Sequence, residues 1–135
     1  MSFPMNMSYP SMSKHKALIV DDETDVCFLL GNLLKQRNIP AVFAGSLAEA
    51  GKLVENANDF SIIFLDNHLP DGFGISLVSQ LKQKNPQVQL VMISAYDTGN
   101  DQKKAVDTGV DFFIGKPFSS EIILRTLEKV KAEKE

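Results

Sequence analysis

The sequence predicts a doubly wound α/β fold, a five-stranded parallel sheet with helices on both faces. Two observations carry that expectation. From Lys16 onward, short apolar runs alternate with longer segments whose apolar residues recur every three or four positions, the pattern of repeated strand–helix units. The runs are apolar almost throughout, so both faces of each strand need cover, and helical crossovers between parallel strands supply it with right-handed connections.

In chain order, the strands are expected at Ala17–Val20, Ala41–Ala44, Ile62–Leu65, Val88–Ile93 and Val110–Ile114. Val26, Leu29, Leu30, Leu33 and Leu34 form the first helical stripe. Leu47, Ala50, Val54 and Ala57 form the second, behind a Ser46-x-x-Glu49 capping box. Ile75, Val78 and Leu81 make a narrower third stripe, and Ile123, Leu127 and Val130 make the last, with Ser119 as its N-cap. The segment from Gly99 to Thr108 carries the weakest helical pattern of the set.

A chain of 135 residues is the size of one ordinary domain. Residues 1–15, rich in Met, Ser, Pro and Asn, are expected to be a flexible N-terminal tail, and residues 16–135 the domain. A composition of 44% hydrophobic and 23% charged residues with net charge −3 fits a soluble globular protein and argues against direct nucleic-acid binding. Cys27 is the only cysteine, which excludes an internal disulfide and a thiolate metal site, and its apolar neighbours predict burial as a small hydrophobe. No stretch approaches the roughly 18 apolar residues of a membrane span, and no basic-then-apolar signal opens the chain, so a cytoplasmic location is expected.

In such sheets ligands bind beyond the carboxyl ends of the strands, near the point where strand order reverses. Asp21, Asp22 and Glu23 follow the first strand, Asp66 the third, Ser94 the fourth, and Lys116 and Pro117 the fifth. Carboxylates gathered at one edge repel each other unless a hard cation or an ammonium neutralises them, a role that Mg2+ and Lys116 together can fill. With charge drawn from a phosphoryl group in this way, a carboxylate can attack phosphorus and become an aspartyl phosphate.

Singly, each element has a plainer explanation. Asp21-Asp22-Glu23-Thr24 reads equally as an N-cap with acids at the positive end of a helix dipole. Asp66 ahead of Pro70 and Asp71-Gly72 reads as a turn residue, Lys116-Pro117 as a solvated loop, and Phe113 as a core ring. Joint placement at the strand ends separates these alternatives from the functional one.

The order Val20-Asp21-Asp22-Glu23, Leu65-Asp66-x-x-Leu69-Pro70-Asp71-Gly72-x-Gly74, Ser94-Ala95 and Lys116-Pro117-Phe118 resembles that of response-regulator receiver domains, from about Lys16 to the C-terminus. The resemblance implies the flavodoxin-like (βα)5 fold and a phosphorylation-activated switch of a two-component system. It implies Asp66 as phosphoacceptor, Asp22 and Asp66 as direct Mg2+ ligands, Asp21 acting through water, and the His68 backbone carbonyl as a further ligand. Lys116 would contact the phosphoryl group, Ser94 would move toward it, and Phe113 would stand at the position of the aromatic switch. A cis Lys116–Pro117 bond is a family habit.

The implied partners are a histidine kinase or phosphotransfer protein, and an output protein or domain met through the fourth helix, fifth strand and fifth helix. A phosphorylation-dependent homodimer is one form of that output. The chain would be no enzyme beyond its self-catalysed phosphotransfer and dephosphorylation. His68 and Tyr96, two residues past Asp66 and Ser94, are expected to shade the site from hydrolytic water. Two other functions fit part of the pattern. An aspartate-nucleophile phosphohydrolase needs a second acid two residues after the nucleophile, where this chain has His68. A receiver-like interaction module without phosphorylation would not need the intact acids, Ser94 and Lys116.

Overall fold

The structure is a computed structural model that describes residues 15–57, 59–95 and 99–134, with side chains described except at 99–101 and 131–134. The expected tail therefore lies outside the described residues except for His15, and so does Tyr96.

The main sheet contains β1 (Ala17–Val20), β2 (Ala41–Ala44), β3 (Ile62–Asp66), β6 (Gln89–Ser94) and β7 (Phe112–Gly115), in the order β2-β1-β3-β6-β7. All four pairings are parallel. Among the described residues four helices lie in the connections between them, α1 (Thr24–Gln36), α2 (Leu47–Asn56), α3 (Val78–Lys84) and α4 (Gly99–Thr108), and α5 (Ser120–Lys134) follows β7. Strand order reverses between β1 and β3, so the crevice favoured for ligands opens at their carboxyl ends.

The two-residue alternation of strand side chains divides the apolar runs between two cores. Leu18, Val20, Ile63, Leu65, Leu90 and Met92 pack with residues of α2, α3 and α4 on one face. Ala17, Ile19, Ile62, Phe64, Val91 and Ile93 pack with residues of α1 and α5 on the other. Every residue of β1 and β3 is buried, which is why neither strand shows polar alternation in the sequence.

Several boundaries move. Val88 and Val110 lie outside the strands, although both are buried, while Asp66 and Ser94 are the last residues of β3 and β6 rather than the first of the following loops. Ala57 is the C-cap of α2 and not part of it. A two-stranded ribbon, β4 (His68–Leu69) with β5 (Gly72–Phe73), fills the connection after Asp66, followed by a 3-10 turn at Gly74–Leu77. Two-residue strands carry too few positions to leave a periodic trace. Gly72 opens β5 directly after the ribbon's turn with φ +147°, a conformation open to glycine and strained for side chains.

The caps account for the helix starts. Ser46 Oγ accepts the Glu49 N–H at 3.1 Å, and Glu49 reaches back to the Gly45 N–H at 2.8 Å, one residue earlier than a standard capping box would place it. Ser119 Oγ accepts from Ile122 N at 3.3 Å at the head of α5. Helix α1 has Glu23 at its N-cap position and Asp25 in its first turn, so acids do stand at its positive end, but the Glu23 side chain makes no capping hydrogen bond. Cys27 is half-buried rather than fully so, and its Sγ donates to the Asp21 carbonyl at 3.3 Å.

Candidate functional site

Hydrogen bonds of the parallel ladder fix the positions of the strand ends. Asp21 N donates to Ala44 O at 3.0 Å just past β1. Asp66 closes β3 opposite Ile93, and Ser94 closes β6 opposite Gly115. Lys116 N donates to Ser94 O at 2.8 Å, which carries the lysine to the same edge. The Lys116–Pro117 bond is cis.

Three carboxylates meet there. Asp21, Asp22 and Asp66 each place an oxygen within 4.8 Å of the others. Asp21 and Asp66 are buried, whereas Asp22 is exposed. Lys116 Nζ lies 3.1 Å from Asp21 Oδ2 and 3.4 Å from Asp66 Oδ2, and it also binds Glu23 Oε1. Asp21 Oδ1 accepts the Glu23 N–H at 2.8 Å, and Asp66 Oδ1 accepts the His68 N–H at 3.1 Å.

The family profile described as the response regulator receiver domain matches residues 17–128. The chain belongs to that family.

Over 106 residues this receiver domain is 37% identical to the response regulator protein PilR of Pseudomonas aeruginosa, a match that covers 78% of this chain and 24% of PilR. The beryllofluoride-activated NtrC4 receiver domain dimer is similar at a TM-score of 0.82 and 29% identity, over 89% of this chain and 98% of that one. A response regulator protein from Burkholderia pseudomallei, solved with a phosphorylated aspartic acid, a calcium ion and citrate, is similar at a TM-score of 0.77 and 29% identity, over 89% of this chain and 72% of that one. Curated relatives are longer, and the chain spans between 24% and 52% of two of them.

Electrostatics at the receiver's strand ends follow from burial. Burial raises the Asp66 carboxyl above the usual carboxylate range, against the lowering pull of the His68 N–H and Lys116. Asp21 is raised by burial and then by the charge of Asp66. For Lys116 burial works toward neutrality, but hydrogen bonds to Glu23 and Asp21 and the nearby acid charges outweigh it and hold the ammonium protonated. Asp21 Oδ2 is buried with the Lys116 ammonium 3.1 Å away. A hard cation among these carboxylates would meet oxygen donors only, one from each of three acids within 4.8 Å of one another, so the residues fit such an ion.

The ring of His68 packs edge-on against Phe73, with centroids 5.4 Å apart at 78°. Ser94 is fully buried, and Phe113 is half-buried against the core on the α2, α3 and α4 side.

Two contacts at the site have no short-range trace in the sequence. Glu23 finds Lys116 across 93 positions. Asp71, assigned no role of its own from the sequence, accepts the N–H groups of Leu47 at 2.9 Å and Ala48 at 3.0 Å and so caps α2 from the loop after β3. These two bonds hold its carboxyl below the usual range. An Asp directly after a strand-end Pro hints at a turn but not at a helix elsewhere in the fold.

Proposed function

We propose that this receiver domain accepts a phosphoryl group on Asp66, from a histidine kinase or phosphotransfer protein, in a Mg2+-dependent reaction, and thereby changes its partner-binding surface. The observation that carries the reading is the meeting of Asp21, Asp22 and Asp66 within 4.8 Å around a lysine that contacts two of them.

In the phosphotransfer step an Asp66 carboxylate oxygen forms a bond to phosphorus while the bond from phosphorus to the donor's nitrogen or oxygen breaks, and the donor leaves with that electron pair. Asp22 and Asp66, with the His68 backbone carbonyl, would hold Mg2+ directly, and Asp21 would act through water. When bound, the ion would neutralise oxygen charge on the phosphoryl group. Lys116 would pair with a phosphoryl oxygen, a task for which its retained proton suits it. Ser94 would hydrogen-bond another oxygen, and the Ser94 loop would set the packing of Phe113.

Output is assigned to α4, β7 and α5, whose exposed Val106 is an apolar residue on this face. The dimeric state of the activated NtrC4 receiver supports a phosphorylation-dependent homodimer as one form of output. No helix among the described residues is long and apolar enough to cross a membrane, which agrees with a cytoplasmic site of action. His68 and Tyr96 are assigned the shading of the phosphoryl group from water.

Incubation with Mg2+ and acetyl phosphate tests the reading. The expected result is a hydroxylamine-labile mass increase that requires Mg2+ and is absent in Asp66→Asn. A parent protein without such an adduct overturns the proposal, and rapid multiple turnover would move it to the phosphohydrolase class.

A further inference from the structure

Lys116 has three carboxylate partners, and they differ in how freely they can let go. The side chains of Asp21 and Asp66 are 1% and 5% exposed, and each is tied by a backbone N–H, from Glu23 and His68 respectively. The Glu23 side chain is 58% exposed. Glu23 occupies the N-cap position of α1, yet its side chain does not cap the helix and is engaged by Lys116 instead. The lysine ammonium is thus shared between two buried acids and one partner that water can readily replace.

Resting on the reading of Asp66 as phosphoacceptor, we propose that Glu23 is a positioning residue: its exposed carboxylate latches Lys116 in the resting state and releases it when an anionic phosphoryl group arrives. The incoming group competes with Glu23 for the ammonium. Asp21 and Asp66 cannot yield, because leaving Lys116 would strand a buried charge. Glu23 can turn into solvent at small cost, since an exposed ion pair contributes little. Phosphoryl uptake therefore includes breaking the Glu23 contact, whereas the finished adduct, with Lys116 already on the phosphoryl group, no longer depends on it.

This separates two rates. In Glu23→Gln the acceptor oxygen remains but the charge is gone. In Glu23→Asp the charge remains, but the side chain is one methylene shorter, which lengthens and weakens its contact with Lys116. Each variant and the parent would be mixed with Mg2+ and subsaturating acetyl phosphate, adduct growth followed by intact mass, and adduct loss followed after donor removal. Both variants are expected to take up phosphoryl about two- to fivefold faster than the parent, the range set by releasing one exposed ion pair, with adduct loss unchanged. Thermal melts of the three proteins identify any variant whose fold has loosened, and a loosened fold would shift both rates together.

Equal or slower uptake in Glu23→Gln overturns the latch. So does a Glu23→Asp protein that behaves like the parent while Glu23→Gln is faster, because charge at the mouth alone would then explain the effect. If the parent forms no adduct, the phosphoacceptor reading itself falls and the latch falls with it. A parent adduct with unchanged variant rates removes only the latch.

Discussion

The backbone N–H of Lys116 donates to the carbonyl of Ser94 at 2.8 Å, so the two residues assigned to the phosphoryl oxygens hang from neighbouring strands by one ladder bond. Phe113 lies three residues before Lys116 in β7, opposite Met92 of β6. A shift of the Ser94 loop toward a phosphoryl group would be felt along β7 through this register. Such coupling is how a local charge event could reach the face made by α4, β7 and α5.

Lys116 supplies positive charge where Asp21, Asp22 and Asp66 meet. Replacing it with Met leaves Asp21 and Asp66 buried without their cation. Lys116→Met should therefore lose about 2–4 kcal/mol of stability in urea unfolding without metal, and Mg2+ should restore part of the loss. An unaffected midpoint would mean that the ion pairs do not support the fold.

Asp66 runs the other way. Burial raises its carboxyl, so the folded protein binds that proton more tightly than the unfolded chain does. Its contribution to stability is greatest at low pH and is lost as pH rises from the ordinary Asp range through the raised folded value. Asp66→Asn should thus be more stable than the metal-free parent by about 1 kcal/mol at neutral pH, a common outcome where a charge serves function. The difference should shrink as pH falls toward about 4. Urea unfolding at several pH values checks both the sign and the trend.

Gly74 is required by close approach. A Cβ there would stand 2.3 Å from the Asp66 carbonyl oxygen and 3.0 Å from Leu65 Cγ. Gly74→Ala should cost about 1–3 kcal/mol or more and slow adduct formation, because the backbone that must give way belongs to Asp66. Wild-type stability with wild-type phosphorylation would contradict the packing described.

Asp71 supports α2 from a distance. With its carboxyl held below the usual range, its contribution is present above the ordinary Asp value and lost as pH falls through the lowered one. Asp71→Ala should lower the melting temperature modestly at neutral pH, and the curves of parent and variant should converge in acid. A constant gap across that range would mean that the carboxylate charge is not what caps the helix.

The strands were legible because parallel strands buried on both faces appear as unbroken apolar runs, as Ile62 to Leu65 does. Val88 and Val110 joined those runs in the sequence because burial, not strand pairing, is what an apolar residue reports. Asp21, Asp22, Asp66, Ser94 and Lys116 could be grouped in advance because fold class alone sends strand ends to one edge. What that reasoning could not reach was partner choice among groups already there. Whether Glu23 caps its own helix or binds Lys116 depends on distances of a few ångströms set by packing, and the same holds for Asp71 and α2. The β4–β5 ribbon stayed hidden because each of its strands has only two residues.

Locating the phosphoryl group on the chain tests the account most directly. After exposure to acetyl phosphate and Mg2+, borohydride reduction converts an aspartyl phosphate to homoserine, which peptide sequencing by mass spectrometry can place. Homoserine at position 66 alone, absent without Mg2+, is the predicted result. Homoserine at another acidic residue, or at none, would contradict it.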